Sequence, residues 1–212
     1  MDNREITTTI SKGEYEKYFA EAVSFEDYLA AMKNAVDHEE GGLYAHYIPL
    51  NLQRTVRIAK TFHLNAEIAE LLPQLHHTLN WLVISEHWCG DASQLLPIIN
   101  AIALASNGKI VLKIAYRDQN PDLISAHLSN GTKSIPKLIQ LDSKFAVTAV
   151  WGPRPKEAQQ LVERLKADPI TAMSYADKLH KWYADDKGSA IQKELLKVIK
   201  IGIAFCPDCF VR

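Results

Sequence analysis

Three cysteines stand in the 212-residue chain, and their placement is its first chemical signal. Cys89 sits in Trp88-Cys89-Gly90-Asp91-Ala92, after the apolar run Trp81-Leu82-Val83-Ile84-Ser85 and where a helical pattern opens. A thiol at a helix N-terminus faces unpaired N–H groups and the positive end of the dipole, which favours the nucleophilic thiolate. Lowering a cysteine pKa from ~8.5 to ~7 raises the thiolate fraction near neutral pH from a few per cent to about half. Asp91 acts the other way, because a carboxylate in the same first turn repels the thiolate. The lesser alternative is that Cys89 is a small buried apolar residue. Cys206 and Cys209 form a CxxC near the end of the sequence. They read as a redox dithiol on a tail that reaches Cys89, as half of a zinc site, or as two cysteines in a docked segment. Structural zinc takes four ligands, so Cys89, a histidine or a second subunit would have to complete that site. A lone CxxC is too weak to assign a metal.

Around Cys89, His87 is a candidate tuner of the thiol, although an isolated surface histidine is the preferred reading. Trp88 is placed to shield the sulfur. Arg117 and Asp118 follow an apolar run at the end where open α/β sheets place sites, with a surface ion pair as the simpler account. Arg154 reads as part of a helix's first turn, or as a contact for a substrate carboxylate. His76 and His77 close a helix and receive no ligand role.

These residues must be held by elements. Tyr15, Tyr18, Phe19, Ala22, Phe25, Leu29, Met32 and Val36 form one stripe over 14–36, with Ser24 and Asp27 marking a second helix start. Gly41-Gly42 and Pro49 make 38–51 a loop. A helix over 52–62 turns Leu52, Val56, Ala59 and Phe62 inward, and Asn65 caps another that Pro73 shortens. From Trp81 the texture changes. Residues 81–85 and 109–116 read as strands buried on both faces, with a helix over 91–105 between them. A short helix over 121–128 stops at Asn130-Gly131. Strands over 137–141 and 146–151 form a hairpin through Asp142-Ser143-Lys144, and a helix spans 156–166. The first two strands should be parallel and the last two antiparallel. Beyond Asp168-Pro169 the chain is helical, with a break near 185–188.

The order β-α-β-α-β-β-α, Trp88-Cys89-Gly90 at a strand-to-helix junction, and Ser134-Ile135-Pro136 ahead of the hairpin resemble the thioredoxin family. The likeness is greatest to family proteins with Trp-Cys-Gly-Asp and a downstream Trp-Gly-Pro-Arg-Pro, here Trp151 to Pro155. The resemblance implies an α/β thioredoxin-like fold with a mixed central sheet and added N- and C-terminal helices. It divides the chain into a helical extension over 1–64, a thioredoxin-like domain over 65–166, and a helical extension with the CxxC tail over 167–212. It implies that Cys89 is the nucleophile, on an exposed turn, and that Ile135–Pro136 is cis, with Ile135 turned toward Cys89 to pair with an extended substrate. It sets Gly152 near the active-site surface, beside His87, Trp88, Gly90 and Asp91. Two positions depart from the pattern. Ala92 occupies the site of the family's second, resolving cysteine, and Val83 that of its buried aspartate.

The expected function is therefore thiol-based redox chemistry through one active-site cysteine, on protein or small-molecule disulfides. It needs no bound cofactor, and Cys206 or Cys209 is a candidate resolving thiol. The alternative is a non-catalytic fold that binds a peptide in the Cys89–Pro136 groove. Composition agrees: 47% apolar and 23% charged residues suit a globular domain rather than a disordered chain. A formal net charge of −1 argues against nucleic acid or an acidic membrane as partner. The absence of a long apolar run and of a signal-like start makes a cytoplasmic location the expectation.

Overall fold

The caps written into the sequence set the first helix boundaries. In the computed structural model, which describes residues 9–38 and 42–205, α1 (Lys12–Glu21) opens on a capping box. The Glu14 N–H donates to Ser11 Oγ while the Ser11 N–H donates to the Glu14 carboxylate at 2.8 Å. Ser24 caps α2 (Phe25–Asp37) by accepting the Asp27 N–H. The stripe over 14–36 is thus two helices, and Val23 between them bridges to Ile114 of the sheet. Tyr15, Phe19, Phe25, Tyr28 and Met32 are buried, so the stripe is core.

Residues 42–51 are not loop. A 3₁₀ turn covers Gly42–Tyr47 and α3 spans Ile48–Thr61. Pro49 lies in the first helical turn, where its missing N–H removes no intrahelical bond. The inward face also differs from expectation. Ile48, Asn51 and Thr55 are buried, whereas Leu52, Val56 and Phe62 are half-buried and Ala59 is exposed. The helix turns polar groups inward because it lies along another helix next to the site, not on the sheet. Asn65 caps α4 (Ala66–Leu71) by accepting the Ile68 N–H, and around Pro73 the chain narrows to a 3₁₀ turn over Leu72–Gln74.

The sheet holds β1 (Leu79–Ser85), β2 (Ile110–Tyr116), β3 (Lys137–Leu141) and β4 (Val147–Trp151) in the order β2-β1-β3-β4. β1 is parallel to β2 and antiparallel to β3, and β3 is antiparallel to β4. All of β1 is buried, as a central strand requires. β2 is an edge strand with Val111 exposed, not one buried on both faces. Between β1 and β2 runs α5 (Gly90–Ala105), and between β2 and β3 lies α6 (Pro121–Ser125). α6 ends before Asn130-Gly131, which instead forms a turn closed by pairing of Ser129 with Thr132. After β4 come α7 (Lys156–Ala167), α8 (Pro169–Ala172), α9 (Tyr175–Asp186) and α10 (Ser189–Ala204). Lys187 and Gly188 take left-handed backbone at the break before α10.

One core cluster joins these layers, from Tyr15 through β1 and α5 to Ile199. α10 covers β3 and β4, and a buried polar chain fixes it there. Trp81 Nε1 donates to Gln140 Oε1 at 3.0 Å, and Gln140 Nε2 donates to the Val198 carbonyl at 2.9 Å. α3 packs along α5, and α7 packs on α9. The N-terminus of α5 is therefore flanked by residues far from it in sequence. Among the described residues no helix is long and apolar enough to cross a membrane.

Candidate functional site

Cys89 is the N-cap residue of α5. Its sulfur accepts the Ala92 N–H at 3.4 Å, and its S–H donates to the Ile135 carbonyl at 3.3 Å. The side chain is buried, at 6% exposure, and not on an exposed turn. Burial pushes the thiol pKa up to about 12, and the Asp91 carboxylate adds to the rise. The N–H groups of Ala92 and Asp91 and the Arg154 guanidinium pull the other way and do not prevail. The opposition between dipole and carboxylate read from the sequence therefore resolves toward the neutral thiol, chiefly through desolvation.

The loop that meets the sulfur is tightly built. The Ile135–Pro136 and Gly152–Pro153 bonds are both cis. Gly152 has φ +112, and a Cβ on it would stand 2.4 Å from the Pro136 carbonyl oxygen. Only glycine fits so close an approach with that backbone. The buried Lys137 amine donates to Ser129 Oγ and, at 3.3 Å, to the Gly152 carbonyl, tying both loops together. Gly152→Ala is expected to lower stability by about 1–3 kcal/mol. It should also accelerate Cys89 alkylation, because the Ile135 carbonyl shifts with Pro136. Urea unfolding and alkylation rates check this; an unchanged midpoint would contradict the geometry.

Asp91 is buried and fully engaged. Arg154 grips it through Nε–Oδ1 at 3.0 Å and Nη2–Oδ2 at 2.6 Å, and the Tyr183 hydroxyl donates to Oδ1 at 2.7 Å. Arg154 also donates to Gln159 at 3.0 Å, so this guanidinium is committed to the protein and is not free for a substrate carboxylate. Tyr183, on α9, carries no sequence signal that links it to a cysteine 94 positions earlier.

His87 is half-buried, not an isolated surface residue. Its Nε2 lies 3.1 Å from the Tyr28 carbonyl and 3.2 Å from the Tyr116 hydroxyl, and the Tyr28 ring packs edge-on against it at 4.5 Å. Burial lowers its pKa, opposed by the Tyr28 carbonyl. It braces the β1–α5 connection, whose His87 carbonyl also accepts from Asn51 of α3 at 3.1 Å. Trp88 lies between the Tyr44 ring, 4.9 Å away, and the Arg117 guanidinium, 4.5 Å above its face. Arg117 also pairs with Asp118 at 2.8 Å. Ala92 is buried, and Val83 lies in the middle of β1. Cys206 and Cys209 lie outside the described residues.

Above Cys89 opens a cleft of about 660 Å³. The Gly42–Tyr47 turn and α3 supply Tyr44, Tyr47 and Arg54 to one wall, and α9 supplies Tyr175, Asp177 and His180 to the other. Gly90 lies close beneath His180: a Cβ there would approach its Nε2 to 3.1 Å, and the imidazole would have to shift by a few tenths of an ångström. Arg54 and His180 escaped the sequence reading because neither lies near a recognisable motif. No group of three or more His, Cys, Asp or Glu among the described residues has the placement to hold a metal ion.

The arrangement is a thiol at a helix N-terminus, opposed by the carbonyl before a cis-proline, on a four-stranded mixed sheet. Two solved structures share the fold. A crystallised HIV epitope scaffold superposes with a TM-score of 0.59 at 19% identity, covering 88% of this chain and 97% of that one. A Pseudomonas aeruginosa protein of unknown function gives 0.56 at 17% identity, covering 86% and 100%. Thioredoxin 1 of Nostoc sp. is 33% identical over 69 residues, which is 32% of this chain and 62% of that protein. The chain thus spans under two thirds of the length of this relative. The family model described as thioredoxin matches residues 39–166, more than half of the chain and all of the sheet, together with α3 and α5 that frame Cys89. On that match the chain belongs to the thioredoxin family.

Proposed function

We propose that this protein is a thiol redox protein that acts on disulfides through Cys89 alone, with its resolving thiol supplied from outside the α5 turn. The observation that carries this reading is the placement of Cys89 Sγ, 3.3 Å from the Ile135 carbonyl beside cis-Pro136, at the floor of the cleft. Cys89 is the nucleophile. Ile135 and Pro136 receive the disulfide, and Gly152 holds Pro136 in place. Asp91, fixed by Arg154, sets how readily the thiol ionises. Residues 65–166 form the working domain, and the helices on either side wall its cleft. Ala92 removes the local resolving thiol, so a mixed disulfide formed on Cys89 persists until a second thiol attacks it.

The buried, protonated thiol favours a second reading, in which the cleft binds a ligand without chemistry. Two measurements separate them. The rate of Cys89 alkylation by iodoacetamide should be slow at neutral pH and climb about tenfold per pH unit, without a plateau before about pH 10. Incubation with a small disulfide at about pH 9 should give a mixed disulfide on Cys89, by peptide mass, that an added thiol releases. A protein that never forms this adduct, even at that pH, is a binding module and not a redox protein.

A further inference from the structure

We propose that the cleft over Cys89 takes a small disulfide bearing carboxylates, held by Arg54 and Lys133. This rests on the thiol-exchange reading above and names its substrate class. Charge is the first argument. Among the described residues, the charged side chains lining the cleft are Arg54, Arg117, Lys133 and Arg154 against Asp91 and Asp177. Asp91 and Arg154 neutralise each other across 2.6 Å, and Arg117 is paired with Asp118 while lying on Trp88. His180 contributes no charge near neutral pH, since burial, with Arg54 beside it, pushes its pKa down to about 4. Among the described residues lining the cleft, Arg54 and the exposed Lys133 are therefore balanced by Asp177 alone, although Lys133 also borders Asp118 in an adjoining hollow.

These two cations have unused capacity. Arg54 Nη1 donates to Asn51 Oδ1 at 3.2 Å, and among the described residues neither Arg54 nor Lys133 is in a salt bridge. Arg54 is half-buried, and desolvation together with the nearby Arg57 lowers its pKa. A guanidinium in that position gains from an incoming anion. His180 adds a neutral donor. With Gln94 Nε2 donating to its Nδ1 at 3.1 Å, the ring proton is on Nε2, which lies over Gly90.

Shape is the second argument. Cys89 is only 6% exposed, beneath walls made by the Gly42–Tyr47 turn and α3 on one side and α9 on the other. About 660 Å³ is a volume suited to a small molecule. A disulfide embedded in a folded surface would have to bring its flanking backbone down between these walls, whereas a small one enters end-on.

The exchange balances. The Cys89 thiol gives its proton to water, and its thiolate attacks one sulfur of R–S–S–R. That S–S bond breaks as the Cys89–S–S–R bond forms, and R–S⁻ leaves and takes a proton from water. A second thiol then attacks the R-side sulfur of the mixed disulfide, forms a new disulfide with R, and frees Cys89.

The test uses the full chain and three probes of similar length: dithiodipropionate (dianionic), bis(2-hydroxyethyl) disulfide (neutral) and cystamine (dicationic). Rates of Cys89 adduct formation are followed by mass at about pH 8, where carboxylates are charged and the amines remain largely so. The dianion should react about tenfold or more faster than the neutral probe, and the dication slowest, after each rate is normalised to a free thiol. Arg54→Gln and Lys133→Gln should each shrink the anion-to-neutral ratio several-fold, as should added salt. Lys33→Gln, which removes an equal charge on α2 away from the cleft, should leave the ratio alone. Binding of dithiodipropionate to Cys89→Ser, measured by calorimetry, tests the site without the chemistry. Adducts forming equally fast with all three probes would overturn the substrate class and leave the redox reading standing. No adduct with any probe, but binding to Cys89→Ser lost in Arg54→Gln, would overturn the redox reading and leave the anion site standing. No adduct and no binding would overturn both.

Discussion

Replacing Arg154 with methionine is expected to lower folding stability by about 3–5 kcal/mol, because it strands a buried carboxylate. Asp91 and Arg154 have side-chain exposures of 9% and 17%, so solvent screens the pair little. Without the guanidinium, Asp91 keeps the Tyr183 hydroxyl on Oδ1 and loses both of its short contacts to the guanidinium nitrogens. Methionine preserves the apolar stem, which isolates charge from packing. The double variant Asp91→Asn, Arg154→Met should recover much of the loss, since no unpaired charge remains. Urea unfolding of the wild type, both single variants and the double variant closes the cycle. The thiol gives an independent readout. Asp91 raises the Cys89 pKa and Arg154 lowers it, so Asp91→Asn should move the alkylation profile to lower pH, and Arg154→Met should move it higher. A loss below about 1 kcal/mol in Arg154→Met, with an unmoved thiol profile, would show that the pair neither supports the fold nor tunes Cys89.

That pair also marks how far the sequence alone could be read. The succession of strands and helices along the chain and the strand-to-helix junction that holds Cys89 were legible because they arise from local signals, whereas the order of strands within the sheet was not. Trp81–Ser85 is a continuous apolar run, Ser24 and Asn65 are caps, and Trp88-Cys89-Gly90 and Ile135-Pro136 sit at element junctions. Arg154 was visible but its partner was not: it precedes the Pro155 N-cap of α7 instead of forming a helix's first turn, and nothing local says which carboxylate 63 positions earlier it meets. Tyr183, His180 and Arg54 lay further out of reach, because they arrive through helices whose packing is decided by tertiary contact. The reading of 38–51 as loop failed on Pro49, which stops a helix in its interior but is tolerated in its first turn. The exposure of Cys89 was misjudged for a related reason. The dipole at a helix N-terminus is a local property, whereas the walls that desolvate the sulfur come from α3 and α9.

Cys89→Ser should reduce disulfide exchange to the uncatalysed rate, whereas Ala92→Cys should raise turnover about tenfold with an external thiol at ~0.1 mM, because a tethered thiol acts at an effective ~1 mM or more. Ala92 is the right position on geometry as well as by family pattern. Its N–H donates to Cys89 Sγ at 3.4 Å, so a sulfur on its Cβ lies in the same helical turn and close to any mixed disulfide on Cys89. The site is only 1% exposed, and inserting a sulfur there is expected to reduce stability by about 1–3 kcal/mol. Turnover must therefore be measured well below the unfolding midpoint. The comparison belongs in a Cys206→Ser, Cys209→Ser background, so that any rate gained comes from the introduced thiol and not from the tail. The same background, with Ala92 kept, tests the tail: slower turnover than wild type would assign resolution to Cys206 or Cys209, and an equal rate would exclude it. If Ala92→Cys is no faster than its parent, resolution is not limiting. The slow step is then ionisation of Cys89 itself, whose thiol is pushed up to about 12. In that case Asp91→Asn, which removes the repelling carboxylate, should raise the rate where the added thiol did not.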